Sequence, residues 1–172
     1  MTQCWKLLSL ALLSACIATP AIAQTPLGNR SAGLFAEFSM ANPGQSQGWN
    51  SGGSAGAYFQ GHLLGWSLRG LAEPTGVNTH VYQATFGPRI AINLPFFKPF
   101  IEVGGGAGHA SYPSGYGAFG RSWGAAWQAN VGIEHELLPM MRWRILELGY
   151  GHIYAGPGVS PLIASSGLCL NF

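Results

Sequence analysis

From Trp127 to Glu136 the chain alternates without a break. Trp127, Ala129, Val131, Ile133 and His135 share one parity, and Gln128, Asn130, Gly132, Glu134 and Glu136 the other. A period of two puts successive side chains on opposite faces of an extended strand; a helix would scatter this pattern around its circumference. The same rhythm sets Tyr82, Ala84, Phe86, Pro88 and Ile90 against Gln83, Thr85, Gly87 and Arg89, and Leu64, Trp66 and Leu68 against Gly65, Ser67 and Arg69. Each charge falls opposite the apolar face, so one question remains: which face is turned to solvent.

Composition answers it. Of 172 residues 48% are hydrophobic and only 8% charged, against about 25% charged in an ordinary soluble domain. A sandwich with its apolar faces inside would need an ionic exterior that this chain cannot supply. Outside the N-terminus, no apolar run approaches the ~20 residues of a membrane helix. Apolar faces turned to lipid and polar faces turned inward satisfy both constraints. The formal charge of +2 has no run of Lys or Arg behind it, which argues against nucleic acid as a partner.

Eight such segments recur, split by Gly, Pro, Ser and Asn: GLFAEFSM from Gly33, SAGAYFQG from Ser54, LLGWSLRGLA from Leu63, HVYQATFGPRIAI from His80, PFIEVGGGAGHA from Pro99, WGAAWQANVGIEHEL from Trp123, RWRILELGYGHIY from Arg142 and LIASSGLCLNF from Leu162. Their connections alternate. QGH, NLPFFK and LLPMM are tight, whereas ANPGQSQGWNSGG, EPTGVN, SYPSGYGAFGRS and AGPGVSP are longer and rich in turn residues. Short turns at one end and longer loops at the other mark outer-membrane barrels, with the short turns periplasmic. The expected fold is all-β: an eight-stranded antiparallel up-and-down transmembrane β-barrel over residues 31–172, both termini periplasmic.

The N-terminus reads MTQCWKLLSLALLSACIATPAIAQTP. Lys6 is a short positive region, Leu7 to Ile17 an apolar core and AIA before Gln24 a cleavage site, so residues 1–23 read as a signal peptide and 24–30 as a short segment before the barrel. LSAC at Leu13 to Cys16 is a rival, lipobox-like signal that would lipidate Cys16. At the other end Leu168, Leu170 and Phe172 share one parity, as in a closing strand with its aromatic end at a membrane interface.

These features resemble the small OmpA/OmpX-type outer-membrane β-barrel proteins. Within them YQATFGPRIAI, PFIEVGGGAGHA and RILELGYGHIY resemble the uncharacterised outer-membrane β-barrel domain family. The resemblance implies a Gram-negative-type cell outer membrane, lipids as surroundings, and Phe172 as part of the assembly signal read by the barrel-assembly machinery. It implies no single activity.

Seven charges fall on the inward parity: Glu37, Arg69, Arg89, Glu102, Glu134, Glu136 and Glu147. An eight-stranded barrel is just wide enough for its side chains to fill, and an unpaired buried charge costs several kcal/mol, so these groups are expected to pair in a plugged lumen. A narrow or gated pore is the alternative, and Gly104, Gly106 and Gly108 on the same face suggest one open wall. Lipid A deacylases, a small-barrel enzyme family, use a His, a Ser two residues on and a Glu near the rim. His152 could be the base and Glu147 or Glu136 its carboxylate, but Tyr154 stands at the serine position and Ser160 lies in a loop without defined geometry. No catalytic residue is therefore assigned.

Metal and cofactor sites are not expected either. His62, His80, His109, His135 and His152 are scattered and the chain has no Asp. GGGAG at Gly104 is no phosphate loop, because no helix follows it. Trp66, Phe86, Trp127, Trp143 and Tyr150 read as lipid-facing or girdle residues, and Trp49, Tyr112 and Tyr116 as loop aromatics with some capacity to stack a ligand. The expected protein is a non-catalytic, monomeric outer-membrane barrel serving envelope integrity or surface interaction through its loops. A small pore and a divergent lipid A-modifying acyl hydrolase remain as alternatives.

Overall fold

The computed structural model describes residues 31–43, 48–74, 80–111, 121–156 and 158–172, without the side chains of residues 121 and 122. The expected signal peptide, the rival lipidation site at Cys16, and Tyr112 and Tyr116 lie outside the described residues. Eight strands run in chain order: β1 (Ser31–Asn42), β2 (Asn50–Gln60), β3 (Leu64–Glu73), β4 (His80–Ala91), β5 (Phe97–Ser111), β6 (Arg121–Leu138), β7 (Met141–Ile153) and β8 (Leu162–Asn171). Each pairs antiparallel with its neighbours, and β1 pairs with β8 from Gly33↔Asn171 to Asn42↔Leu162, closing the barrel. Closure leaves no open sheet edge, which lipid would not tolerate. At the seam the Phe172 amide donates to the Ala32 carbonyl at 2.8 Å.

Burial alternates strictly along β3 and β4, with the faces as the sequence predicts. The outer wall carries Phe38, Phe86, Ile101 and Val131, each more than half exposed, while charged groups lie within. This is the reverse of a water-soluble protein and the arrangement of a transmembrane barrel. Stacked Trp66 and Phe86, 5.3 Å between centroids, and edge-on Trp127 and Tyr150, 5.9 Å, stand on that outer wall. Trp49, in the connection before β2, is half-exposed.

Two register shifts interrupt the β6–β7 ladder, at Ile133/Glu134 and at Glu136/Leu138, and the first reverses the alternation in β7. In the β6–β7 ladder Ile133 faces Leu146 and Glu134 faces Arg144, so Ile145 has no partner. Against β8, Arg144 faces Gly167 and Glu147 faces Ser165. This β-bulge turns both Arg144 and Glu147 inward although their numbers differ in parity.

Candidate functional site

The lumen is layered. Near the tight turns Phe35, Tyr58 and Cys169 form a buried cluster, and the Tyr58 hydroxyl donates to Asn171 Oδ1. At mid-depth stand Glu37 from β1, Arg69 from β3, Arg89 from β4, Glu102 from β5, Glu134 from β6, and Arg144 and Glu147 from β7, all buried. Toward the longer loops Ser39 donates to Glu73, and the Gln128 side-chain amide donates to Asn130 Oδ1 at 2.7 Å. Above them Ala41, Leu71, Val81, Ala110, Ala126, Ile153, Ala155, Val159 and Ile163 form one apolar cluster with each member 5% exposed or less.

In the charged layer each arginine bridges several carboxylates. Arg69 reaches Glu37 at 2.8 Å, Glu147 at 2.7 Å and Glu102 at 3.1 Å. Arg89 holds Glu102, and Glu134 at 2.8 Å. Arg144 reaches Glu37 at 2.7 Å, and Glu134 and Glu147 at 2.9 Å. Rings cover the guanidinium faces: Arg89 lies 4.4 Å from the Tyr58 centroid and 4.2 Å from that of Phe100, while Arg144 lies 4.4 Å from both Phe35 and Phe100. A planar fork with donors in its edge and a weakly hydrated face suits this setting, where a lysine would not. Ser54 also donates to Glu37.

Six of the seven charges expected in the lumen thus meet in one network. Glu136 does not. It is exposed at the tight-turn end of β6, beyond the point where the narrow interior would force it to pair. Three charged residues escape the sequence reading. Strict alternation from Glu147 places Arg144 on the lipid face, and the bulge at Ile145 reverses it. Lys98, buried at the start of β5, is hidden in what reads as a tight turn. Glu73 extends the inward parity of Arg69 and Leu71 by one step, a signal present in the sequence but assigned to a loop.

Of the wall expected to be open at Gly104, Gly106 and Gly108, the Gly108 end is filled by a large side chain. A side-chain carbon on Gly108 would sit 2.9 Å from Ile153, and one on Gly132 would sit 2.6 Å from the Phe100 ring. Ile153 and Phe100 occupy the room that Gly108 and Gly132 leave, whereas Gly104 faces Thr85 and Gly106 lies against the β4 backbone. Beside Gly104 a void of about 10 Å³ remains, lined by Arg69, Thr85, Glu102 and Asn130, about the space one water requires.

The second candidate lies on the outer wall at the loop end. Gly158, at φ +82°, helps fold the β7–β8 connection back so that Val159 pairs with Ile153. This brings Ser160 Oγ to 2.8 Å from His152 Nδ1, with the Tyr154 ring edge-on to the imidazole. Ser160 therefore has a defined place, contrary to the sequence reading. The suggested carboxylates are elsewhere: Glu147 is held by arginines in the lumen and Glu136 lies at the opposite end of the barrel. The result is a Ser–His pair without an orienting acid.

A closed eight-stranded antiparallel barrel with charges inside and a lipid-compatible exterior is the fold of the small outer-membrane barrels of the OmpA/OmpX type. Among solved structures the chain is similar to Neisserial surface protein A, with 17% identity, a TM-score of 0.59 and coverage of 84% of this chain and 98% of that one. It is also similar to the N-terminal barrel domain of Pseudomonas aeruginosa OprF, with 15% identity, a TM-score of 0.54 and coverage of 83% and 97%. Ail of Yersinia pestis gives 15%, 0.52 and the same coverage. These likenesses are of fold. No protein-family model and no curated protein matches the chain.

Proposed function

We infer that the protein is a non-catalytic integral outer-membrane barrel with a plugged lumen, serving envelope integrity or surface interaction through its longer connections. The observation that carries this reading is the layered interior. An ion entering from the loop end would meet a cluster of nine buried apolar residues, where an unpaired charge is very costly. One entering from the other end would have to break the buried ion pairs of the charged layer. The alternation of short and long connections supports a membrane orientation with both termini periplasmic and the loop end outside. The fully paired seam between β1 and β8 supports a monomer and a role for Phe172 in recognition by the barrel-assembly machinery.

Planar-bilayer recording tests the plug. The refolded wild type is expected to show almost no steady conductance. Steady wild-type conductance, unchanged in an Arg69→Ala/Arg89→Ala double variant, would replace the plug with a pore.

The Ser160–His152 contact favours a second reading, an acyl hydrolase acting on lipid at the outer rim. Ser160 would attack an ester carbonyl as His152 accepts its proton and returns it to the leaving alcohol, and water would release the acyl group. A fluorophosphonate probe decides this reading. Labelling of the wild type that is lost in Ser160→Ala and His152→Ala would establish the nucleophile, and an unlabelled wild type would remove it.

A further inference from the structure

At the tight-turn end of the lumen, below the charged layer, lies a recess of about 150 Å³ lined by residues 93–97, Lys98, Glu134, Glu136 and Arg142. The plug does not use most of these groups. The β5–β6 register sets Lys98 opposite Glu134, and the β6–β7 register sets Arg142 opposite Glu136. Neither couple is among the ion pairs of the described residues. Lys98 is only 5% exposed, and its ammonium faces the Tyr58 ring at 6.0 Å. Arg142 Nη1 is buried with no protein hydrogen-bond partner among the described residues, and so is Glu134 Oε2, whose companion oxygen is taken by Arg89 and Arg144.

The recess therefore offers two cationic donors and two anionic acceptors at once. A simple anion would meet Glu134 and Glu136, and a simple cation would meet Lys98 and Arg142. A group carrying both signs satisfies both pairs. The rim indicates where such a group comes from. Leu94, Phe96 and Phe97 are each about half-exposed or more, and His135 Nδ1 holds the Phe96 carbonyl at 2.8 Å, so an apolar, anchored turn stands beside the opening. Aromatic and apolar side chains at that level of a barrel sit among lipid headgroups.

We propose that this recess binds the phosphate–ammonium headgroup of a zwitterionic phospholipid, with the phosphate on Lys98 and Arg142 and the ammonium on Glu134 Oε2 and Glu136. The acyl chains run out beside Leu94 and Phe96. The assignment rests on the reading above in that the tight-turn end faces the phospholipid leaflet.

The test uses the full barrel refolded in a maltoside detergent without phosphate. Calorimetric titration with O-phosphorylethanolamine should give one saturable site. Affinity should fall at least tenfold for O-phosphorylcholine, whose ammonium has no protons, and for glycerol phosphate, which has no ammonium. Arg142→Gln should weaken binding at least tenfold. Glu136→Gln, at an exposed position, should abolish the preference for the ammonium and covers the case in which Arg142→Gln fails to fold, as judged by heat-modifiable migration. In native mass spectrometry from mixed nanodiscs, one phosphatidylethanolamine should be retained in preference to phosphatidylcholine and phosphatidylglycerol.

Equal affinity for glycerol phosphate, or binding untouched by both variants, overturns the site. Headgroup binding without lipid retention overturns the membrane source. Protease access to the loops of intact cells reads orientation separately. A reversed barrel that still binds would sink the orientation, and a correctly oriented barrel that does not bind would sink the proposal.

Discussion

Toward the loops, Leu71, Val81, Ile153 and Ile163 fill the lumen with apolar side chains, whereas a few residues deeper four glutamates and three arginines fill it with charge. Both regions are closed to solvent, and both block a path along the axis. They differ in how closure is held. The apolar cap relies on volume, which is non-directional and survives exchanges that conserve size. The charged layer relies on matched forks and carboxylates, so losing one member leaves several others unpaired in a poorly hydrated space. It also penalises misregistration, because a slip by one residue would turn an arginine to lipid. The cap would fill almost any barrel of this bore; the charged layer fits one register.

The sharpest way to break this contrast is at Arg144, which joins Glu37, Glu134 and Glu147. Arg144→Ala is expected to destabilise the barrel by about 3–5 kcal/mol, the range for breaking a buried ion pair, in a urea titration in lipid vesicles. A loss under about 1 kcal/mol would mean that water readily replaces the guanidinium. Next comes the outer wall. Val131→Arg should cost about 2–4 kcal/mol near the midplane, while Asn130→Arg, facing the lumen, should act through packing against Gln128 and the charged layer. The reverse order would shift the assigned faces of β6 by one residue.

The cap should respond far less. Ile163→Val is expected to cost about 0.5–1.5 kcal/mol, with conductance still negligible because its neighbours remain. A rise in conductance from that single change would show a cap as exacting as the charged layer. Ionic strength should have the smallest effect of all. Exposed pairs are screened as the Debye length falls from ~30 Å at 0.01 M to ~3 Å at 1 M salt, but pairs this deeply buried should leave wild-type stability nearly constant. A marked salt dependence would place ions inside the lumen.

Much of this architecture is legible in sequence because a barrel strand writes its own orientation. In β4 every odd position from Val81 to Arg89 is buried and every even one is not, as alternation alone predicts, and scarcity of charge decides which face meets lipid. Strand number, the alternation of short and long connections, and the inward facing of Glu37, Arg69, Arg89, Glu102, Glu134 and Glu147 follow from that local rule. What only the tertiary structure decided depends on groups far apart in the chain. Arg144 turns inward because a bulge forms against both β6 and β8. Glu136 stays out of the charged network because it stands at the exposed mouth of the lumen, beside the recess at its tight-turn end. Ile153 fills the space over Gly108 only once strands distant in the chain share one lumen, whereas Ser160 meets His152 through a local fold-back at Gly158 that period-two patterning does not record. Period-two patterning records which way a side chain points from its own backbone; it carries no record of what stands opposite, and in a lumen this narrow the opposite wall decides whether a charge is paired, plugged or left open to a ligand.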